Sequence, residues 1–376
     1  MIYLDYAANA PVDEEVLESY INATKKYFAN PNSFHRLGLE AKKAIDDASS
    51  NIANLLGVKN DELIYTSGTS ESNNLVIQGI CERYKSKGKH VIISSLEHNS
   101  IIAPMQRMQE LGFEVDIVNC KADGTIDIDE LKRLIRDDTI LVSITSADSE
   151  LGIRQPIEEI GKILKDYDNL FFHTDASQII GKDYIDFSDV DLVTMAPHKF
   201  YGINGFGLLI KKENVSLKPI IYGGKSTTIF RSGTPVTASI IALNKALELA
   251  INNLKERKEY VKELNHYVKD KLKERKNIVI NSKDGSIYNT INFSVKNVIS
   301  KDIVTMLGDR DVFISSKTSC CEANSPSKGV YAITNDKQLA LSSFRISLSH
   351  MTTKEEIDKF FIIFDEVLEE YSNGKK

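Results

Sequence analysis

Three residues that stand where short apolar runs end carry side chains able to do chemistry. Asp175 follows "LFFHT", Lys199 follows "DVDLVTM" inside "MAPHKFYG", and His98 follows "HVIISS" inside "LEHNS". A lysine amine attacks a carbonyl only when deprotonated, so a Schiff-base lysine sits in a partly desolvated place near another cationic group, and His198 adjoins Lys199. The plainer reading of Lys199 is a surface lysine in a loop. Asp175 ends one of the most apolar runs in the chain, where a carboxylate needs a partner; a protonated heterocycle nitrogen or an arginine would serve. A lone histidine just before a helix, as His98 is, is commonly a cap or a solvent-facing residue. In "TSGTSESNN", residues 66–74, Gly68, Thr69 and Ser70 lead into a helix with Glu71 in its first turn. That stretch reads as a plain N-cap, or as an anion site where backbone N–H groups and the Ser70 hydroxyl hold a phosphate.

These residues need elements to position them. Amphipathic stretches near 13–28, 36–57, 71–87, 99–112, 126–136 and 156–167 alternate, from about residue 60, with "ELIYT", "HVIISS", "EVDIV", "TILVSIT", "LFFHTD" and "DLVTM". Continuous apolar strands separated by helices predict an α/β fold, a mainly parallel sheet sandwiched by helices, with ligands outside the carboxyl ends of the strands. From about residue 237 a long helical tract with i,i+4 charge pairs leads into a smaller α+β unit containing "NIVINS", "NTINFSV", "VFISS" and "FRISLS". The expected division is a large domain over 14–255 and a small one from 1–13 and 256–376.

Composition narrows the function. A chain of 376 residues with 42% hydrophobic and 27% charged residues can bury a large core. Its net charge of −6 gives no electrostatic ground for nucleic-acid binding. The N-terminal "MIYLDYAANAPVDEEV" lacks the apolar core of a signal peptide and no later window is apolar enough to span a bilayer, so no membrane association and a cytoplasmic location are expected. Cys81, Cys120, Cys320 and Cys321 are too few and too irregularly spaced for a disulfide framework or a paired zinc site, so no metal is expected. "YGGKST", residues 222–227, looks like the tail of a P-loop, but Pro219 stands where that motif requires glycine. A lysine, a carboxylate, a phosphate cradle and a flat group together are what pyridoxal 5'-phosphate needs, and Lys199, Asp175, the turn at Ser70 and His98 could supply them.

The chain resembles the cysteine desulfurases of the NifS/IscS type, within the fold-type I, class V aminotransferase-like superfamily, over nearly its whole length. The resemblance is carried by "YLDYAANAPVDEEV", "TSGTSESNNL", "EHNS", "DDTILVSI", "ELGIRQPI", "HTDASQIIGK", "PHKFYGINGFG", "FRSGT" and "SSFRISLS". It implies that Lys199 carries the cofactor, Asp175 meets the pyridine nitrogen, Gln178 the ring hydroxyl, and that His98 stacks on the ring. It further implies a phosphate site from Gly68, Thr69, Ser70 and His198, with Thr234 reaching in from the second subunit of a homodimer. Arg345 matches the arginine that clamps the substrate carboxylate, with Asn9 and Ser149 beside it. Cys320, in "SSKTSCCEANSPSKG", matches the catalytic cysteine, and Cys321 falls where a threonine is common. With Lys199 and His98 it completes the implied catalytic set; Cys81 and Cys120 read as apolar fillers.

The implied reaction converts L-cysteine to L-alanine and leaves a persulfide on Cys320 for a sulfur-acceptor protein, a scaffold for iron–sulfur assembly or a tRNA-thiolation enzyme. Selenocysteine lyase, a related β-elimination, and a non-catalytic partner-binding homologue are the alternatives. The chain departs from the family pattern at Asp148 and Ser149, where two asparagines are usual, at Ala196 in place of a phosphate-binding serine, at Lys317 in place of a loop glycine, and in "KSTTIF" before "RSGT".

Overall fold

The computed structural model describes residues 1–317 and 325–374. Its strands are β1 (Ile2–Tyr3), β2 (Leu63–Thr66), β3 (His90–Ser94), β4 (Glu114–Val118), β5 (Thr139–Ser143), β6 (Phe171–Asp175), β7 (Leu192–Met195), β8 (Gly207–Lys211), β9 (Ile278–Ile280), β10 (Thr290–Val295), β11 (Val312–Phe313) and β12 (Ser343–Ser347). The six apolar runs of the N-terminal half become β2 to β7. With β8 they form a seven-stranded sheet in the order β2-β8-β7-β6-β5-β3-β4. β3 to β7 pair in parallel, while β8 runs antiparallel to both β2 and β7. β3, β5 and β6 are buried along their whole length, which explains why they read as mainly apolar runs, and β8 is buried likewise; β4, at the edge, is not.

Helices cover both faces. On one, α3 (Thr69–Tyr84) and α4 (Asn99–Glu110) bury Leu75, Val76, Ile101 and Met105 against Ile64, Val91 and Leu209. On the other, α2 (Arg36–Leu56), α5 (Ile128–Leu134), α6 (Ile157–Leu164) and α7 (Thr237–Asn252), with α1 (Glu14–Lys26) beside α7, bury Ile45, Ile52, Leu131, Ile160, Leu243 and Leu247 against Ile92, Val142, Phe172 and Val193. The tract expected as one long helix is two. Asn253 ends α7 and begins α8 (Leu254–Lys273), and the break lets the two halves serve different cores. Val261, Leu264 and Val268 of α8 pack with Ile2, Leu4, Phe293, Phe344, Phe360 and Phe364 in a second core. That core lies against the antiparallel sheet β12-β10-β9, and β1 pairs in parallel with β11. No helix of the described residues is long and apolar enough to cross a membrane.

Candidate active site

The carboxyl ends of the parallel strands, the start of α3, the N-terminal loop and β12 surround one cavity of about 420 Å³. Of the residues singled out in the sequence, Gly68, Thr69, Ser70, His98, Ser149, Asp175, Gln178, His198, Lys199 and Arg345 line it. Asn9 and Thr234 are not among its lining residues; Thr234 is exposed on the segment before α7. Cys320 and Cys321 lie outside the described residues.

Asp175 is the last residue of β6 and is 7% exposed. Its Oδ2 accepts from Asn73 Nδ2 at 2.9 Å and its Oδ1 from the Ser177 N–H at 2.9 Å. Each carboxylate oxygen keeps a further lone pair, so capacity remains for a donor in the cavity. Asn73 is fully buried on α3; its Nδ2 also donates to Ser100 Oγ and its Oδ1 accepts from Thr194 Oγ1, so its amide cannot turn over. The sequence reading missed Asn73. Its signal was there, an amide one helical turn into "TSESNN", but only the fold shows that it faces the end of β6.

His98 is the N-cap of α4, its Nδ1 accepting from the Ser100 N–H at 3.1 Å. Burial pushes its pKa down, so near neutral pH the ring is uncharged and the proton sits on Nε2. It is thus both the cap expected of a lone histidine and a flat neutral surface in the cavity wall. Beneath it Glu97 is 5% exposed, with Oε1 accepting from Ser94 Oγ and from the Thr145 N–H. Burial, with the Asp175 charge adding to it, pushes Glu97 up to about 8.

The start of α3 has the chemistry to receive an anion. Gly68 is its N-cap and supplies no side-chain hydrogen bond, so the first amides of the helix turn toward the cavity without a side-chain acceptor from the cap. β8 passes directly behind this turn, so close that a Cβ on Gly207 would lie 2.6 Å from the Gly68 carbonyl carbon. Thr69 Oγ1 meets Ser177 Oγ at 3.0 Å, and Glu71 holds Arg231 at 2.9 Å, fixing the segment that carries Thr234 against the helix. His198 is pushed down to about 4 by burial and by the charges of Lys199 and Lys182, so it meets the cavity as a neutral ring.

Lys199 Nζ donates to the carbonyls of Ala7 and Ala8, at 2.9 and 2.6 Å. The N-terminal loop is held there by backbone bonds from Ala10 to His198 and from Asp13 to Tyr201, and by Ser347 Oγ accepting from the Ala7 N–H. Across the cavity Arg345, 1% exposed on β12, donates from one terminal nitrogen to Asp5 Oδ1 at 2.7 Å and from the other to the Ser149 carbonyl at 2.9 Å. Its Nε is buried with no hydrogen-bond partner among the described residues. Asp5 is a second residue the sequence reading did not single out.

Three of the departures noted in the sequence, Asp148, Ser149 and Lys317, have local explanations. Asp148 folds back to accept the N–H groups of Glu150, Leu151 and Ile153, which shapes the turn, and burial raises it to about 6. Ser149 serves Arg345 through its backbone carbonyl. Lys317 Nζ donates to the carbonyl and hydroxyl of Ser325, at 2.7 and 2.9 Å, tying together the two described residues that flank 318–324. Burial pushes the thiols of Cys81 and Cys120 up to about 12 and 11, so neither is a thiolate near neutral pH.

A lysine at one strand end, a fixed carboxylate at the next, an open helix N-terminus and a buried arginine now share one cavity. The aminotransferase class-V family model matches residues 2–360. A cysteine desulfurase IscS of Dictyoglomus turgidum is 37% identical over 98% of this chain and 94% of its own. The chain belongs to the cysteine desulfurases of the class-V aminotransferase family. Among solved structures, a NifS-like protein superposes with a TM-score of 0.92 at 29% identity, covering 98% of this chain and 99% of that one. SspA in complex with cysteine superposes with a TM-score of 0.82 at 32% identity over 93% and 99%. The family's members use pyridoxal phosphate, and the cavity fits that group on its own terms. It offers an uncapped helix N-terminus for a phosphate, a buried carboxylate with spare lone pairs for a ring N–H, and a lysine amine for an aldehyde.

Proposed function

We propose that this protein is a pyridoxal-phosphate-dependent cysteine desulfurase that takes sulfur from L-cysteine onto Cys320 and releases L-alanine. The observation that carries the reading is the single cavity in which Lys199 and Asp175 face the start of α3 while Arg345 lines the same space. Lys199, Asp175, Gln178, His98, His198 and the Gly68–Ser70 turn would hold the cofactor, with Thr234 added from a second subunit. When bound, that group acts as an electron sink that labilises the bonds at the substrate Cα.

The chain's own residues do the rest. Arg345, with Nε still to be satisfied, binds the substrate carboxylate; Asp5 holds its guanidinium in place. Asn9, in the loop that meets Lys199, is proposed to assist there. Lys199 Nζ, once released from the Ala7 and Ala8 carbonyls, takes the Cα proton and returns one at Cβ as alanine forms. The Cys320 thiolate attacks the substrate sulfur: an S–S bond forms, the Cβ–S bond breaks, and the extra sulfur stays on Cys320 until an acceptor thiol removes it. Ser315 exchanges backbone hydrogen bonds with Arg345, so the segment leading to Cys320 leaves the small sheet beside the residue that would hold the substrate. The solved relative described as a complex with cysteine supports the substrate assignment.

The test is to reduce the cofactor-loaded protein with borohydride and map the label. A label on Lys199, lost in Lys199→Ala, is expected; a label on another lysine would overturn the site assignment. Transfer to an acceptor protein inside the cytoplasm completes the proposal.

A further inference from the structure

Lys182 is a buried amine for which the reaction above has no use. It is 9% exposed, and the charges that act on it are Lys199 and Arg345, both of its own sign. The nearest acid in sequence, Asp183, is taken by Lys258 in a half-buried ion pair. Burial and the two like charges push the Lys182 amine down to about 7. A fold that places an ammonium here without a carboxylate bears a cost, and such a cost is expected where a group is needed for a site. The turn that delivers it is specific. Gly181 sits at φ +72°, and a Cβ there would lie 3.0 Å from Ala250 Cβ and 3.3 Å from Phe200 Cβ, the residue after Lys199.

The partner of Lys182 is Gln178, whose Oε1 accepts from Nζ at 2.8 Å. Gln178 Nε2 donates to the Ala7 carbonyl at 3.0 Å, and that same oxygen accepts from Lys199 Nζ at 2.9 Å. The Gln178 amide therefore lies beside the amine that addresses the cofactor's aldehyde carbon. The polar ring substituents flanking that carbon are the phenolic oxygen on one side and the phosphate-bearing arm on the other. With the phosphate drawn to the start of α3, the oxygen is left for Gln178. An amide turned end for end would set Oε1 against the Ala7 carbonyl and its NH₂ against the Lys182 amine. The orientation seen leaves one Nε2 hydrogen as the amide's remaining donor.

We infer that Lys182 is a positioning residue: from behind the pocket it fixes the Gln178 amide so that a donor, not an acceptor, meets the phenolic oxygen of the cofactor. The inference rests on the pyridoxal phosphate reading. A held donor favours the ionised oxygen and so makes the adjacent imine nitrogen less basic.

The test is a pH titration of the bound cofactor's absorbance in the wild-type protein, Lys182→Met, Gln178→Leu and the double variant. Lys182→Met should raise the chromophore's pKa by about one unit, a tenfold change in the protonation equilibrium. In the Gln178→Leu background the same substitution should move it far less. Should Lys182→Met not fold, Lys182→Gln carries the same comparison, with a smaller shift because a neutral donor remains. An unchanged pKa, or equal shifts in both backgrounds, overturns the inference. Wild-type protein that takes up no pyridoxal phosphate would instead overturn the cofactor reading itself.

Discussion

Asp175 is a carboxylate held by two donors, the Asn73 side-chain amide on Oδ2 and the Ser177 N–H on Oδ1. Asn73→Ala removes the 2.9 Å bond to Oδ2 and leaves Thr194 Oγ1 without its acceptor. Losing a hydrogen bond to a buried charge costs roughly 1.5–3 kcal/mol, so cofactor binding should weaken at least tenfold, as equilibrium dialysis would show. Unchanged affinity would mean that Asn73 does not position Asp175. Glu97 permits a pH prediction. Its folded pKa of about 8 lies above the ordinary carboxyl value of 4.5, so between these the native state binds the proton that the unfolded chain has lost. The carboxyl thus contributes stability below about pH 4.5 that is lost as pH rises toward 8. Glu97→Gln, which cannot ionise, should therefore gain on the wild type as pH is raised from 5 to 8 in urea unfolding; a constant difference would contradict this. Lys199, Asp175 and His98 were legible because a polar side chain ending an apolar run is anomalous in a sequence. Asn73, Glu97 and Lys182 were not. In "SESNN", "LEHNS" and "IIGKDY" they read as ordinary helix, cap and turn residues, and only long-range packing buries them.

Among the elements, the proposed phosphate end of the site depends on how closely β8 passes the start of α3. Gly207→Ala would put a Cβ 2.7 Å from Gly68 Cα and from Thr66 Oγ1, which must displace the turn. Pyridoxal phosphate affinity should fall roughly tenfold or more, because misplaced amides lose charge-assisted bonds. Gly308→Ala, at the end of a helix with nothing within 4 Å, is the control and should leave affinity unchanged. Equal effects of the two would show that the close approach of β8 does not shape the turn. β8 is also the strand the sequence reading omitted. "GLLIK" is short and has no helix before it, so it lacks the strand-helix alternation that exposed the parallel strands. The break at Asn253 was illegible for a related reason: both halves are amphipathic, and what separates them is which core each one faces.

The site joins two cores. Arg345 and Ser347 of β12 hold Asp5 and Ala7, and Glu150 accepts from Ser327 Oγ and the Gly329 N–H, so the N-terminal loop and the second core close over the large sheet. One face stays uncovered. Phe34, Tyr222 and Ile229 are 95, 70 and 63% exposed, on segments tied together by Asn32 and Ser226. A second copy covering this face would bring Thr234 to the neighbouring site. Phe34→Asp with Ile229→Asp should give a monomer in sedimentation with weakened cofactor binding, whereas a wild-type protein already monomeric at micromolar concentration and fully active would refute the dimer.

Sulfur is proposed to leave cysteine for Cys320. One turnover with L-cysteine, followed by peptide mass mapping and alanine analysis, tests this transfer. One alanine per site is expected, with the mass of one sulfur atom added to the peptide bearing Cys320, and no such addition in Cys320→Ser although its cofactor absorbance is retained. Cys321→Ser should keep most turnover. Alanine with free sulfide and no labelled thiol, or a dead Cys321→Ser beside an active Cys320→Ser, would contradict it.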